Sequence, residues 1–149
     1  MCIRDRVAPV AAYVPYVQTG NLIFVSGQVP LGPDGIMSGH LTAADHAQDG
    51  VASEALTHAI AAARLCALNV LAHVNAATGN LDKVKRVVKL TGFVNCDGTF
   101  SQHPQVINGA SELMAAIFDD RGQHARAAVG SSSLPLGSVV EVEGIFEVE

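Results

Sequence analysis

The closing stretch Val139-Val-Glu-Val-Glu-Gly-Ile-Phe-Glu-Val-Glu149 places Val140, Val142, Phe146 and Val148 on one set of alternate positions and Glu141, Glu143, Glu147 and Glu149 on the other. A period of two is the signature of a strand with one buried and one solvated face. Such a strand needs a layer of helices or a second sheet on its apolar side. The preceding sequence supplies helices. Ala125 to Gly130 reads as another strand, joined to the last by Ser131 to Gly137. Before it, Pro104 opens a helix running to about Phe118, with Val106, Ile107, Leu113, Met114 and Ile117 as core positions. Val84 to Val94 is a strand closed by the turn Asn95-Cys-Asp-Gly98.

A longer helix is expected from about Val51 to Ala77, ended by Thr78-Gly79-Asn80, where glycine provides the usual C-terminal cap. Leu56, Ile60, Ala63, Ala67, Leu71 and Val74 recur at spacings of three and four and form one core-facing stripe. At 1.5 Å per residue it spans about 40 Å, so its first third is expected to overhang or break. Residues 38–50 read as a polar loop. Leu22 to Val29 is a buried strand stopped by Pro30 and the turn Gly32-Pro-Asp-Gly35, with a short strand near Ile36. The order is that of an α+β domain, two helices on one face of a mixed sheet. The other face is left bare, and closure into a ring or barrel of identical chains is the natural remedy.

Composition narrows the function. The chain has 149 residues, 49% hydrophobic and 15% charged, which fits one globular domain. A net charge of −5, with only Lys83, Lys85, Arg86 and Lys89 clustered, argues against nucleic acid as a partner. Aromatics at 5% and no Trp leave little for stacking bases. Cys2, Cys66 and Cys96 are odd in number and widely spaced, which speaks against disulfides and zinc and for a reduced, cytoplasmic setting. Ala59 to Val74 is apolar but interrupted by Arg64, Asn69 and His73, so it reads as a buried helix and not a membrane span. The opening Met-Cys-Ile-Arg-Asp-Arg fits nothing downstream. Residues 1–6 read as a non-native leader resembling translated adapter sequence, and residues 7–149 as the domain.

One cation stands out. Arg126 lies in the small-residue run His124-Ala-Arg-Ala-Ala-Val-Gly130, and no Lys or Arg follows it. Alanines and valine cannot solvate a guanidinium, whose planar fork suits a carboxylate. Either a glutamate of the chain meets it or a small anionic ligand does. Other constellations carry less. His40, Asp45, His46 and Asp49 lack the spacing of a preformed metal site, His58 and His73 are too far apart on one helix, and no Gly-x-Ser-x-Gly elbow occurs. No metal or cofactor is expected.

The segments Pro15-Tyr16-Val17-Gln18, Val25-Ser-Gly-Gln-Val-Pro30, Val106-Ile-Asn108, Ala125-Arg126 and Leu134-Pro-Leu-Gly…Val140-Glu141-Val-Glu143 fall in the order seen in the RidA/YjgF family. The chain resembles that family from about Ala8 to its end. The resemblance implies a chorismate-mutase-like fold assembled as a homotrimer around a central barrel, with clefts between subunits. It also implies hydrolysis of reactive 2-imino or enamino acids to 2-keto acids and ammonia. In those terms Arg126 binds the substrate carboxylate and Glu141 positions the attacking water. On alternation alone, Glu141 would be one of several solvated glutamates. Tyr16, Asn108, Ser26 and Gly27 match residues lining the cleft. Ala128 stands where many members have cysteine, so thiol chemistry at that position is lost, although its backbone still lines the site. The stretch His40 to Asp49 is longer than in the smallest members and resembles a divergent branch. A non-catalytic keto or imino acid binder, and an endoribonuclease or translation inhibitor, are the other functions associated with such a chain.

Overall fold

The computed structural model describes residues 11–149, so the leader assigned from sequence lies outside the described residues. Five strands form the main sheet: β1 (Tyr16–Thr19), β2 (Leu22–Gln28), β5 (Val84–Asn95), β6 (Ala125–Ser131) and β7 (Val140–Val148), in the order β1-β2-β7-β5-β6. The short strands β3 (Leu31–Gly32) and β4 (Gly35–Ile36) make a separate hairpin. Two helices, α1 (Glu54–Thr78) and α2 (His103–Phe118), pack on the sheet and on each other. The sheet is mixed: β5 and β6 run parallel, linked through α2, while the other pairs are antiparallel.

β7 behaves as its alternation requires. Val140, Val142, Phe146 and Val148 are buried in the core, and Glu143 is exposed on the other face. Gly109 of α2 sits directly against Ile60 of α1, where a Cβ would strike the Ile60 carbonyl, so this glycine sets how closely the helices approach. α1 is long and apolar enough to cross a membrane by length and composition. Its stripe is instead covered by the sheet: Leu56, Ala63, Ala67, Leu71 and Val74 are all 0–1% exposed.

The structure differs from the sequence expectation in several places. α1 begins at Glu54 and not Val51, because Asp49 and Gly50 adopt positive φ in a turn closed by Gln48 and Val51, and Ser53 then caps the Leu56 amide at 3.0 Å. It runs unbroken to Gly79, which caps it at φ 79°. β1 was not expected. Four residues give too little alternation to register, and its pairing through the Gly20-Asn21 turn is what makes it a strand. The loop at 38–50 is also tied down more than its polarity suggests. His40 Nδ1 pairs with Asn95 Oδ1 at 2.6 Å, Asp45 and Thr42 form a capping box, and His46 Nε2 accepts from the Ser101 amide at 3.0 Å.

Candidate functional site

β6 is an edge strand, and Arg126, Ala128 and Gly130 share its helix-facing side with the core residues Leu90, Gly92 and Val94 of β5. The half-buried Arg126 side chain therefore turns toward α2. Its Nη1 donates to Asn108 Oδ1 at 2.8 Å and to Ser111 Oγ at 3.1 Å, and its Nη2 donates to the Pro104 carbonyl at 3.3 Å. Positions 104, 108 and 111 are four and three apart and so lie on one face of the helix.

All three acceptors are neutral. Among the described residues no carboxylate is bonded to Arg126, so the glutamate clamp left open by the sequence is not formed. A guanidinium has five N–H donors. Three are engaged, and Nε–H and one Nη2–H remain for a planar anion.

Asn108 is thus brought to Arg126 as the resemblance implies. Tyr16, Ser26, Gly27 and Glu141 are not, within one chain. Tyr16 lies on β1, the opposite edge of the sheet, about 19 Å away across four strand spacings. Ser26 and Gly27 occupy the register break of β2 against β7 between Val25 and Gln28. There the Ser26 hydroxyl donates to the Val14 carbonyl at 2.7 Å and its amide to the Pro15 carbonyl at 2.9 Å.

Glu141 pairs with Phe93 on the face away from the helices and lies over Gly27. A Cβ on that glycine would stand 2.8 Å from Glu141 Oε1, so its absence makes room for the carboxylate. Burial, with like charge from Glu143, holds the Glu141 carboxyl above its ordinary range. Next to it the bare face carries a hollow of about 350 Å³ lined by residues including Val17, Phe24, Lys89, Thr91 and Glu143. One chain therefore carries the Arg126–Asn108–Ser111 cluster at β6–α2 apart from the Gly27–Glu141 contact at β2–β7, while Tyr16, opposite Val25, packs against the core on the helix side.

Ala128 packs against the core beside Gly92. Cys96 lies against this strand, with its Sγ contacting His103 Nε2 at 3.4 Å beneath Gly130; burial, then the Asp97 charge, pushes its thiol up. Sequence reasoning missed Ser111 and His124. The helical spacing of Ser111 from Asn108, and the position of His124 two residues before Arg126, are the signals that mark them.

One layer of two helices on a mixed five-stranded sheet, with the parallel β5-α2-β6 unit at one edge, defines the chorismate-mutase-like class of α+β domain. The chain belongs to the YjgF family: residues 2–148 match the family described as "YjgF/chorismate mutase-like, putative endoribonuclease". It is similar to Protein TCP17 of Trypanosoma cruzi, 45% identical over 143 residues, which are 95% of this chain and 84% of that protein. Among solved structures it resembles Atu1372 of Agrobacterium tumefaciens, a protein of unknown function, with 42% identity, a TM-score of 0.82 and coverage of 95% and 86% of the two chains. The YjgF gene product of E. coli is 29% identical with a TM-score of 0.62, covering 96% of this chain and 93% of that one.

Proposed function

We propose that this chain hydrolyses small 2-imino or enamino acids to 2-keto acids and ammonia in a site shared between adjacent copies of a homotrimer. The observation that carries the reading is Arg126, a half-buried cation oriented by three neutral acceptors and, among the described residues, left with two free donors. A charge in that state favours a carboxylate guest, and each charge-assisted hydrogen bond contributes roughly 1.5–3 kcal/mol.

The separation of Arg126 from Glu141 within one chain supports an assembled site. The bare sheet face and the β6 edge of one copy join to the β1–β2–β7 group of the next, so that Arg126 of one protomer and Glu141 of its neighbour face the same guest. Arg126 fixes the carboxylate, which places the C=N carbon. Glu141, whose carboxyl retains its proton to higher pH than an exposed glutamate, gives that proton to the imine nitrogen; as carboxylate it then draws a water onto the electrophilic carbon. Glu141 takes a proton from that water as the C–O bond forms and passes it to the amine nitrogen; collapse of the tetrahedral carbinolamine then breaks the C–N bond, expels ammonia, returns the hydroxyl proton to Glu141 and leaves the keto acid. The Ser26–Gly27 bulge and the Tyr16 ring wall the guest. No thiol step is included, because position 128 is alanine.

A purified sample is expected to accelerate hydrolysis of 2-iminopropanoate generated in situ, and Arg126→Ala to abolish it with the trimer intact by light scattering. Unchanged turnover in that variant overturns the assignment. Glu141 stands on the opposite face from Arg126, and this favours one other reading, a trimer that binds keto acids without catalysis. Saturable pyruvate binding with no rate above buffer would select it.

A further inference from the structure

The contacts behind Arg126 continue one step further. Ser111 Oγ lies 2.8 Å from His124 Nε2, and His124 Nδ1 lies 2.6 Å from the Gly122 carbonyl. A carbonyl oxygen only accepts, so Nδ1 carries the proton. In the neutral ring Nε2 is then a lone pair, and the Ser111 hydroxyl donates to it. With its proton so directed, Ser111 turns an oxygen lone pair to Arg126 Nη1 at 3.1 Å. Each link fixes the direction of the next, from the Gly122 carbonyl through imidazole and hydroxyl to guanidinium.

We infer that Ser111 and His124 are positioning residues that set the plane of the Arg126 guanidinium, and thereby the affinity and orientation of a bound carboxylate. The inference rests on the proposed carboxylate role of Arg126 and names two groups which that role does not itself require. Asn108 and Ser111 together occupy both Nη1 hydrogens, so the planar group cannot turn about its Cδ–Nε bond without breaking both. Without Ser111 the Asn108 and Pro104 bonds remain, Nη1 is held at one point where it had two, and the aim of the Nε and Nη2 donors loosens. Neither residue touches the guest, so the effect falls on binding more than on the bond-breaking step.

The test uses the intact trimer with pyruvate as probe. Long-range proton–nitrogen NMR is expected to show His124 in the Nδ1–H tautomer. Ser111→Ala and His124→Asn are each expected to weaken pyruvate binding and raise KM about tenfold with kcat nearly unchanged, in line with loss of one hydrogen bond to a charged group. The double variant should be no worse than either single one, since both break the same chain. His124→Gln, which returns an acceptor toward Ser111, should recover most of the affinity. Parental pyruvate affinity in a folded Ser111→Ala or His124→Asn trimer, or an Nε2–H tautomer, would overturn the inference. Should Ser111→Ala not fold, the partly exposed His124→Asn decides. Failure of the underlying reading looks different, because Arg126→Ala would then bind pyruvate as the parent does.

Discussion

Arg126 draws its meaning from what surrounds it: two side chains and one carbonyl, each neutral, each on the same face of α2. Glu141 is its counterpart, a half-buried carboxyl that accepts no hydrogen bond among the described residues and sits beside a second glutamate. Its folded-state pKa is raised, so between the ordinary and the raised value the folded chain binds more protons than the unfolded one, and stability falls as pH rises. Glu141→Gln is therefore expected to melt higher than the parent above the raised value. The gain should shrink as pH falls through that value and vanish below the ordinary carboxylate range. Thermal melts at several pH values check this. The same variant is expected to lose about 10²- to 10⁴-fold in imine hydrolysis, the usual contribution of a general acid–base group. Stability gained while activity is lost marks a group held in a costly state for function.

At this scale the sequence was legible in part. The isolation of Arg126 in an alanine run was plain, and so was the question of what meets it. Glu141 was one of four alternating acids, and nothing in that pattern separates it from Glu143. The distinction comes from Gly27, a residue on another strand whose missing side chain leaves a berth for one of the two.

The helices and strands were readable wherever a long periodic run decided them, as in α1, β5 and β7. What escaped was structure set by pairing across the chain. β1 exists because β2 lies beside it, and the start of α1 is fixed by a positive-φ turn and the Ser53 hydroxyl. The α1–α2 contact is of the same kind, since Gly109 lets the Ile60 backbone come against α2. Gly109→Ala would ordinarily favour a helix. Here it is expected to destabilise by about 1–3 kcal/mol, the usual cost of overpacking a tight contact. Because α2 carries Asn108 and Ser111, the shift should also weaken pyruvate binding. A chemical melt paired with a binding isotherm measures both, and an unchanged melt would show that the helices have slack.

The whole molecule is a sheet covered on one side. Exposed Val17, Phe24 and Val129 lie along its outer strands at 54%, 41% and 44% exposure, with the hollow beside Glu143 between them. Strand order separates Arg126 from Glu141, and no linear reading of the chain gives that order. If neighbours complete each other, mixing matters. Unfolding and refolding Arg126→Ala together with Glu141→Gln in equal amounts should restore about a quarter of parental activity, since random trimers leave one intact seam in each mixed ring. Two inactive proteins refolded separately and then combined should stay inactive until subunits exchange. No recovery from co-refolding would show that Arg126 and Glu141 do not meet across a seam between copies.

If Arg126 and Glu141 meet only across a seam between copies, the position of β6 at the sheet's rim has a consequence for how activity responds to abundance. In that case a lone molecule, however well folded, holds Arg126 and Glu141 apart. Output should then climb more steeply than dose at low concentration, and flatten into simple proportionality once rings predominate.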